Sequence, residues 1–223
     1  MAQRPPANVG MSIDQIDTPA LVVDLDVYDN NIEKMAKMMK ASGKIFRPHA
    51  KMHKSPQVAL DQIKHGAVGI CCQKLSEAEI MVDGGIEDIL ITNEVVAPAK
   101  LKRVAELSKR AKIGICVDNS DATKALNEAC AKIDTMVRVL IEIDVGGNRC
   151  GVINPHDALE LAELILNSSH LTFGGLQAYH GAAQHLRTPE EREATVESAA
   201  QIIRGFKAIL KNANIDCDIV TGG

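Results

Sequence analysis

From residue 21 onward, short apolar runs rich in Val, Ile and Leu alternate with longer stretches whose apolar positions recur at helical spacing. The runs predict strands over residues 21–26, 44–50, 67–73, 88–93, 112–118, 136–145, 171–179 and 216–221. The longer stretches predict helices over 27–42, 55–65, 75–84, 97–110, 120–132, 155–168 and 189–213. Helix starts carry their own punctuation: Ser55-Pro56, Ser120-Asp121 and Asn154-Pro155 match N-cap and first-turn chemistry. Repeated strand–helix units predict a parallel sheet covered by helices. Eight strands with no Gly-x-Gly-x-x-Gly after the first favour a (β/α)8 TIM-type barrel over a dinucleotide-binding sheet.

At 223 residues and 46% hydrophobic content, one domain is the default. Residues 1–16 read as a flexible polar lead without the apolar core of an export signal, and residues 17–223 as the barrel domain. Apolar runs such as Ile89 to Thr92 and Val139 to Ile143 fall far short of the roughly 20 residues of a membrane span. A net charge of -4 and a pI near 6.0 offer no basic field for nucleic acid, which leaves small molecules as the expected partners. The cysteines (Cys71, Cys72, Cys116, Cys130, Cys150 and Cys217) form no Cys-x-x-Cys pair. They read as thiols of a reducing cytoplasm, not as disulfides or zinc ligands.

Barrel chemistry collects where strands end. Past the second strand, Arg47, His49, Lys51, His53 and Lys54 crowd into eight residues. Neighbouring positive charge and partial burial both turn a lysine into a better amine nucleophile, and strand alternation sends Arg47, His49 and Lys51 to one side. A solvated basic turn is the competing reading. After the sixth strand, Gly146-Gly147 bend the chain and present Arg149, a fork of donors for a phenolate or carboxylate, unless it is a plain surface arginine. Past the seventh come Gln177, Tyr179, His180, Gln184 and His185. Tyr179 could pack on a flat ring or simply fill the core; His180 and His185 could ligate a metal, but no acidic partner stands near them in sequence. Thr221-Gly222-Gly223 has the makings of a phosphate cradle, or is a frayed tail.

Together these residues resemble the fold-type III pyridoxal-phosphate enzymes, in the branch of D-threonine aldolases, D-3-hydroxyaspartate aldolases and D-serine dehydratases. The resemblance covers nearly the whole chain. Asp17-Thr18-Pro19-Ala20 with Val22-Val23-Asp24-Leu25-Asp26 is similar to that family's opening, and Arg47-Pro48-His49-Ala50-Lys51-Met52-His53-Lys54 to its cofactor-lysine motif. Cys71-Cys72-Gln73-Lys74-Leu75-Ser76-Glu77-Ala78-Glu79 and Thr92-Asn93-Glu94-Val95 look closer to the aldolases.

The resemblance implies an alanine racemase N-terminal-like barrel. In it Lys51 holds pyridoxal phosphate as a Schiff base, Gln73 lies beside the cofactor, Arg149 faces the ring oxygen and Tyr179 the ring, and Thr221, Gly222 and Gly223 begin the phosphate site. It implies a lyase cleaving D-3-hydroxy amino acids to glycine and an aldehyde, a homodimer when full length. A divalent metal of the Mn or Mg type would be held by ligands outside this chain. The strand over residues 21–26 would join a C-terminal β-domain, and the last barrel strand and that domain would be missing, as in a truncated enzyme. Alternatives are a D-serine or D-3-hydroxyaspartate dehydratase, an amino-acid racemase, a non-catalytic pyridoxal-phosphate carrier and a sugar aldolase using Lys51 directly.

Overall fold

The computed structural model describes residues 5–222 and falls into two compact units that divide between Lys44 and Ile45. In the first unit, a 3-10 turn over Ile13–Gln15 is closed by the Ser12 N–H donating to Gln15 Oε1 at 3.0 Å, so part of the expected flexible lead has local structure. Helix α1 (Leu25–Ser42) starts where the Asp24 carboxylate accepts from the Val27 N–H and ends at Gly43, whose φ of 65° suits a left-handed cap. The strand expected over residues 21–26 is not formed. Residues 21–24 have no ladder partner among the described residues, and the Asp24 cap draws Leu25 and Asp26 into the helix.

The second unit alternates strand and helix: α2 (Pro56–Lys64), β1 (Ile70–Cys72), α3 (Leu75–Asp83), β2 (Asp88–Glu94), α4 (Pro98–Ser108), β3 (Lys112–Val117), α5 (Ser120–Ala131), β4 (Val137–Glu142), α6 (Pro155–Leu166), β5 (Leu171–Gln177), α7 (Pro189–Asn212) and β6 (Val220–Thr221). Ser55 and Asn154 cap α2 and α6 as their sequence signals require, each followed by proline at the first helical position. For α5 the cap is Asn119, one residue earlier than the Ser120-Asp121 signal.

The six strands form one parallel sheet in chain order. Before β1, residues 46–50 run alongside it: Val68 N–H donates to Phe46 O, Cys71 N–H to Pro48 O and Ala50 N–H to Cys71 O, at 2.8–2.9 Å. Only one bridge, His49 to Cys71, is regular, because Pro48 has no N–H to give the ladder. Of the eight-stranded barrel expected in incomplete form, the described residues show a six-stranded parallel half-barrel with one irregular edge segment.

Side chains alternate across this sheet. Ile89, Ile91, Ile115, Val139, Ile141 and Leu176 face the helices and join the main core, while Cys71, Leu90, Cys116 and Leu140 pack together on the concave side. The concave layer matters for function because the polar residues at the strand ends stand directly beyond it.

Candidate active site

Residues from both edges of the sheet line one cavity of about 220 Å³, from Arg47 and His49 at one edge to Thr221 and Gly222 at the other, which requires the sheet to curl. Lys51, Gln73, Arg149, Tyr179, Thr221 and Gly222 all line it. Gly223, singled out with them from sequence, lies outside the described residues.

Lys51 follows the edge segment in a turn shaped by His49. The Lys51 N–H donates to His49 Nδ1 at 3.2 Å, so Nδ1 is bare and the ring proton sits on Nε2. Nε2–H then donates to Thr92 Oγ1 at 3.1 Å, and the Thr92 hydroxyl to Cys72 O at 3.4 Å. Burial and the Lys51 charge hold His49 below the usual imidazole range, with Glu77 and Gln73 acting the other way. A neutral His49 fits both hydrogen bonds. Lys51 itself is exposed at the cavity mouth, so the partial burial expected of it is absent, and no carboxylate among the described residues pairs with its ammonium.

The lysine faces an aromatic ring: its Nζ is 5.8 Å from the Tyr179 centroid, and the Arg149 guanidinium carbon is 5.7 Å from the same centroid. Tyr179 is thus a wall of the cavity, not a core filler. Its hydroxyl accepts from Gln184 Nε2 at 2.5 Å.

Arg149 is carried by a loop that returns to its own strand. Val152 N–H donates to Glu142 O and Asp144 N–H to Val152 O, while Asp144 Oδ1 accepts from the Gly146 and Asn148 N–H groups at 2.9 and 3.0 Å. Gly151 closes the loop at φ 105°, where an added Cβ would stand 2.6 Å from the Asp144 nitrogen.

Gln73 is fixed through its backbone, whose N–H donates to Glu77 Oε2 at 2.9 Å. At the other edge, a Cβ on Gly222 would stand 2.3 Å from Ala178 O, so the chain there approaches β5 as closely as only glycine allows. A cationic amine, a guanidinium, an aromatic wall and a glycine-threonine turn fit a phosphorylated aromatic aldehyde such as pyridoxal phosphate. Lys51 would anchor it, Arg149 and Tyr179 would meet its ring, and Thr221 with Gly222 its phosphate.

Beyond this set, the structure adds residues to which the sequence alone assigned no role. Glu142, at the end of β4, is 4% exposed, and Gln177, at the end of β5, is 6% exposed. Glu94 Oε1, Glu142 Oε2 and Gln177 Oε1 are all buried with no donor among the protein groups. Burial, then the Glu94 carboxylate, pushes Glu142 up to about 8 against the pull of Cys116 and Arg149. A signal was present in sequence: a glutamate at an inward position of an apolar strand.

The ligand atoms of Glu94, Glu142 and Cys150 lie within 4.8 Å of one another. A cation fits them poorly, because Arg149 already brings its positive charge to Cys150 and both carboxylates. His180 and His185 bracket a 3-10 turn over Gly181–His185 and join no ligand cluster among the described residues. All six cysteines are free; burial pushes the Cys71 thiol, on the cavity wall, up to about 11, which removes it as a nucleophile.

The family model described as alanine racemase, N-terminal domain, matches residues 23–223. D-threonine aldolase of Arthrobacter sp is 44% identical over 223 residues, covering 100% of this chain and 59% of that protein. 3-Hydroxy-D-aspartate aldolase of Paracoccus denitrificans (strain Pd 1222) is 41% identical over 220 residues, 98% of this chain and 57% of that protein. The crystal structure of D-threonine aldolase from Filomicrobium marinum matches with a TM-score of 0.97 at 43% identity, over 99% of this chain and 60% of that one. The chain thus spans less than two thirds of the length of each of these relatives. It belongs to the alanine racemase N-terminal domain family, in the branch that holds D-threonine and 3-hydroxy-D-aspartate aldolases.

Proposed function

We propose that residues 17–223 form the cofactor-binding part of a pyridoxal-phosphate-dependent aldolase that cleaves D-3-hydroxy amino acids of the D-threonine or D-3-hydroxyaspartate type to glycine and an aldehyde. The observation that carries this reading is the convergence of Lys51, Arg149, Tyr179 and Gly222 on one cavity in a chain whose relatives are named as aldolases. When bound, the cofactor supplies an electron sink for the bond that breaks.

The protein's own residues bind and orient. Lys51 is the anchoring amine, turned towards the cavity by the His49–Thr92 chain of hydrogen bonds. Arg149 would meet the cofactor's ring oxygen, Tyr179 and Gln73 would flank its ring, and the Thr221 hydroxyl with the adjoining backbone N–H groups would hold its phosphate. The reading includes a divalent metal of the Mn or Mg type to polarise the substrate hydroxyl, with no ligand assigned among these residues.

Product analysis tests it: with pyridoxal phosphate, Mn2+ and D-threonine or D-3-hydroxyaspartate, glycine and the matching aldehyde are expected in equal amounts. Ammonia and a keto acid without glycine would establish the dehydratase instead.

A further inference from the structure

Glu142 and Gln177 are a registered pair on neighbouring parallel strands. Leu140, two residues before Glu142, packs in the concave layer, whereas Ile141 and Leu176 pack towards the helices. Glu142 and Gln177 therefore project from the same concave face, from strands about 4.8 Å apart. Both present a buried oxygen with no donor, Oε2 of Glu142 and Oε1 of Gln177. Two buried bare acceptors side by side repel each other, and one proton between them removes the conflict.

We propose that Glu142 is a carboxylic acid whose hydroxyl donates to the Gln177 carboxamide oxygen, and that as a neutral positioning residue it leaves the Arg149 charge turned to the cavity. The groups facing it come from every neighbouring element: Glu94 from the end of β2, Cys116 from β3, Asp118 just past β3, and Arg149 with Cys150 from the loop after β4. Of these, Glu94 and Asp118 oppose a second negative charge, and the Cys116 thiol serves one carboxyl oxygen. With Glu142 neutral, Arg149 is not consumed by a buried ion pair and can meet an anionic ring oxygen. This last step rests on the cofactor reading above; the shared proton does not.

Infrared spectroscopy of the chain without cofactor reads the proton directly. A carboxylic-acid carbonyl band is expected at pH 7, absent in Glu142→Gln, shifted in Gln177→Leu, and lost on titration through about pH 8. Should Gln177→Leu fail to fold, Gln177→Asn takes its place. No acid band that depends on Glu142 would overturn the proposal; so would stoichiometric Zn2+ or Mn2+ binding abolished by Cys150→Ser.

A second arm titrates pyridoxal phosphate. Glu142→Ala is expected to weaken binding about tenfold, the scale of one contact to a charged group. The neutral isostere Glu142→Gln, which still donates to Gln177, is expected to restore most of it. Equal loss in both variants would mean that a carboxylate charge holds Arg149 and would contradict a neutral Glu142. If the natural chain binds no pyridoxal phosphate, the cofactor reading fails while the infrared result still decides the proton.

Discussion

The Lys51 ammonium nitrogen stands 5.8 Å from the centroid of the Tyr179 ring, and the Arg149 guanidinium reaches the same ring at 5.7 Å. Each cation gains about 0.5–1 kcal/mol from the ring face at such exposed positions. Tyr179→Ala is expected to weaken pyridoxal phosphate binding by about three- to tenfold in a fluorescence titration, and Tyr179→Phe by less than about twofold. A Phe variant as weak as the Ala variant would shift the weight to the hydroxyl that Gln184 holds.

Gly222→Ala places a Cβ 2.3 Å from a backbone carbonyl oxygen that cannot swing aside. Cofactor affinity is expected to drop at least about tenfold, with phosphate-free pyridoxal affected much less. Gly205→Ala is the opposite case, because no atom lies within 4 Å of the new methyl on α7. It is expected to raise stability by up to about 1 kcal/mol in urea unfolding, the helix-propensity difference between the two residues.

His49 and His53 are both held below the imidazole reference of 6.5, chiefly by burial. Below that reference the unfolded chain binds more protons than the folded one, so stability falls as the pH drops through 6.5 towards the folded-state values. Urea unfolding at pH 7.5 and at about pH 5.5 checks this, and His49→Gln is expected to flatten the difference. A variant that keeps the full pH dependence would place its origin in other groups.

Asp144 holds the arginine loop through two backbone N–H groups. Asp144→Ala is expected to cost about 1 kcal/mol of stability and to lower cofactor affinity by freeing Arg149. Asp144→Asn keeps the side-chain oxygen and should recover most of both. Loss of stability with unchanged affinity would separate the loop clamp from the site.

Helix starts were legible because a cap is a local event: Ser55-Pro56 and Asn154-Pro155 carry their own acceptor and fixed φ. The edge segment 46–50 was legible as extended chain, although Pro48 breaks its ladder. Residues 21–26 read as a strand because their valines fit one, while Asp24 caps the helix that begins at Leu25, and pairing depends on a neighbour that local pattern does not encode. The other expected strands appear as β1 to β6 and the edge segment 46–50.

Lys51, Arg149 and Tyr179 were singled out by their chemistry at strand ends, and the structure brings them to one cavity. Glu142 and Gln177 had no assigned role because their meaning lies in register across β4 and β5, which no single run contains.

The most direct test of the central claim is borohydride reduction of the chain mixed with pyridoxal phosphate, followed by peptide mapping, on the natural sequence and on Lys51→Ala. A near-visible absorbance band that reduction abolishes, with the cofactor fixed on the peptide carrying Lys51 and absent from the variant, is the predicted result. Cofactor fixed on another lysine, such as the adjacent Lys54, or an unchanged band in Lys51→Ala, would contradict it.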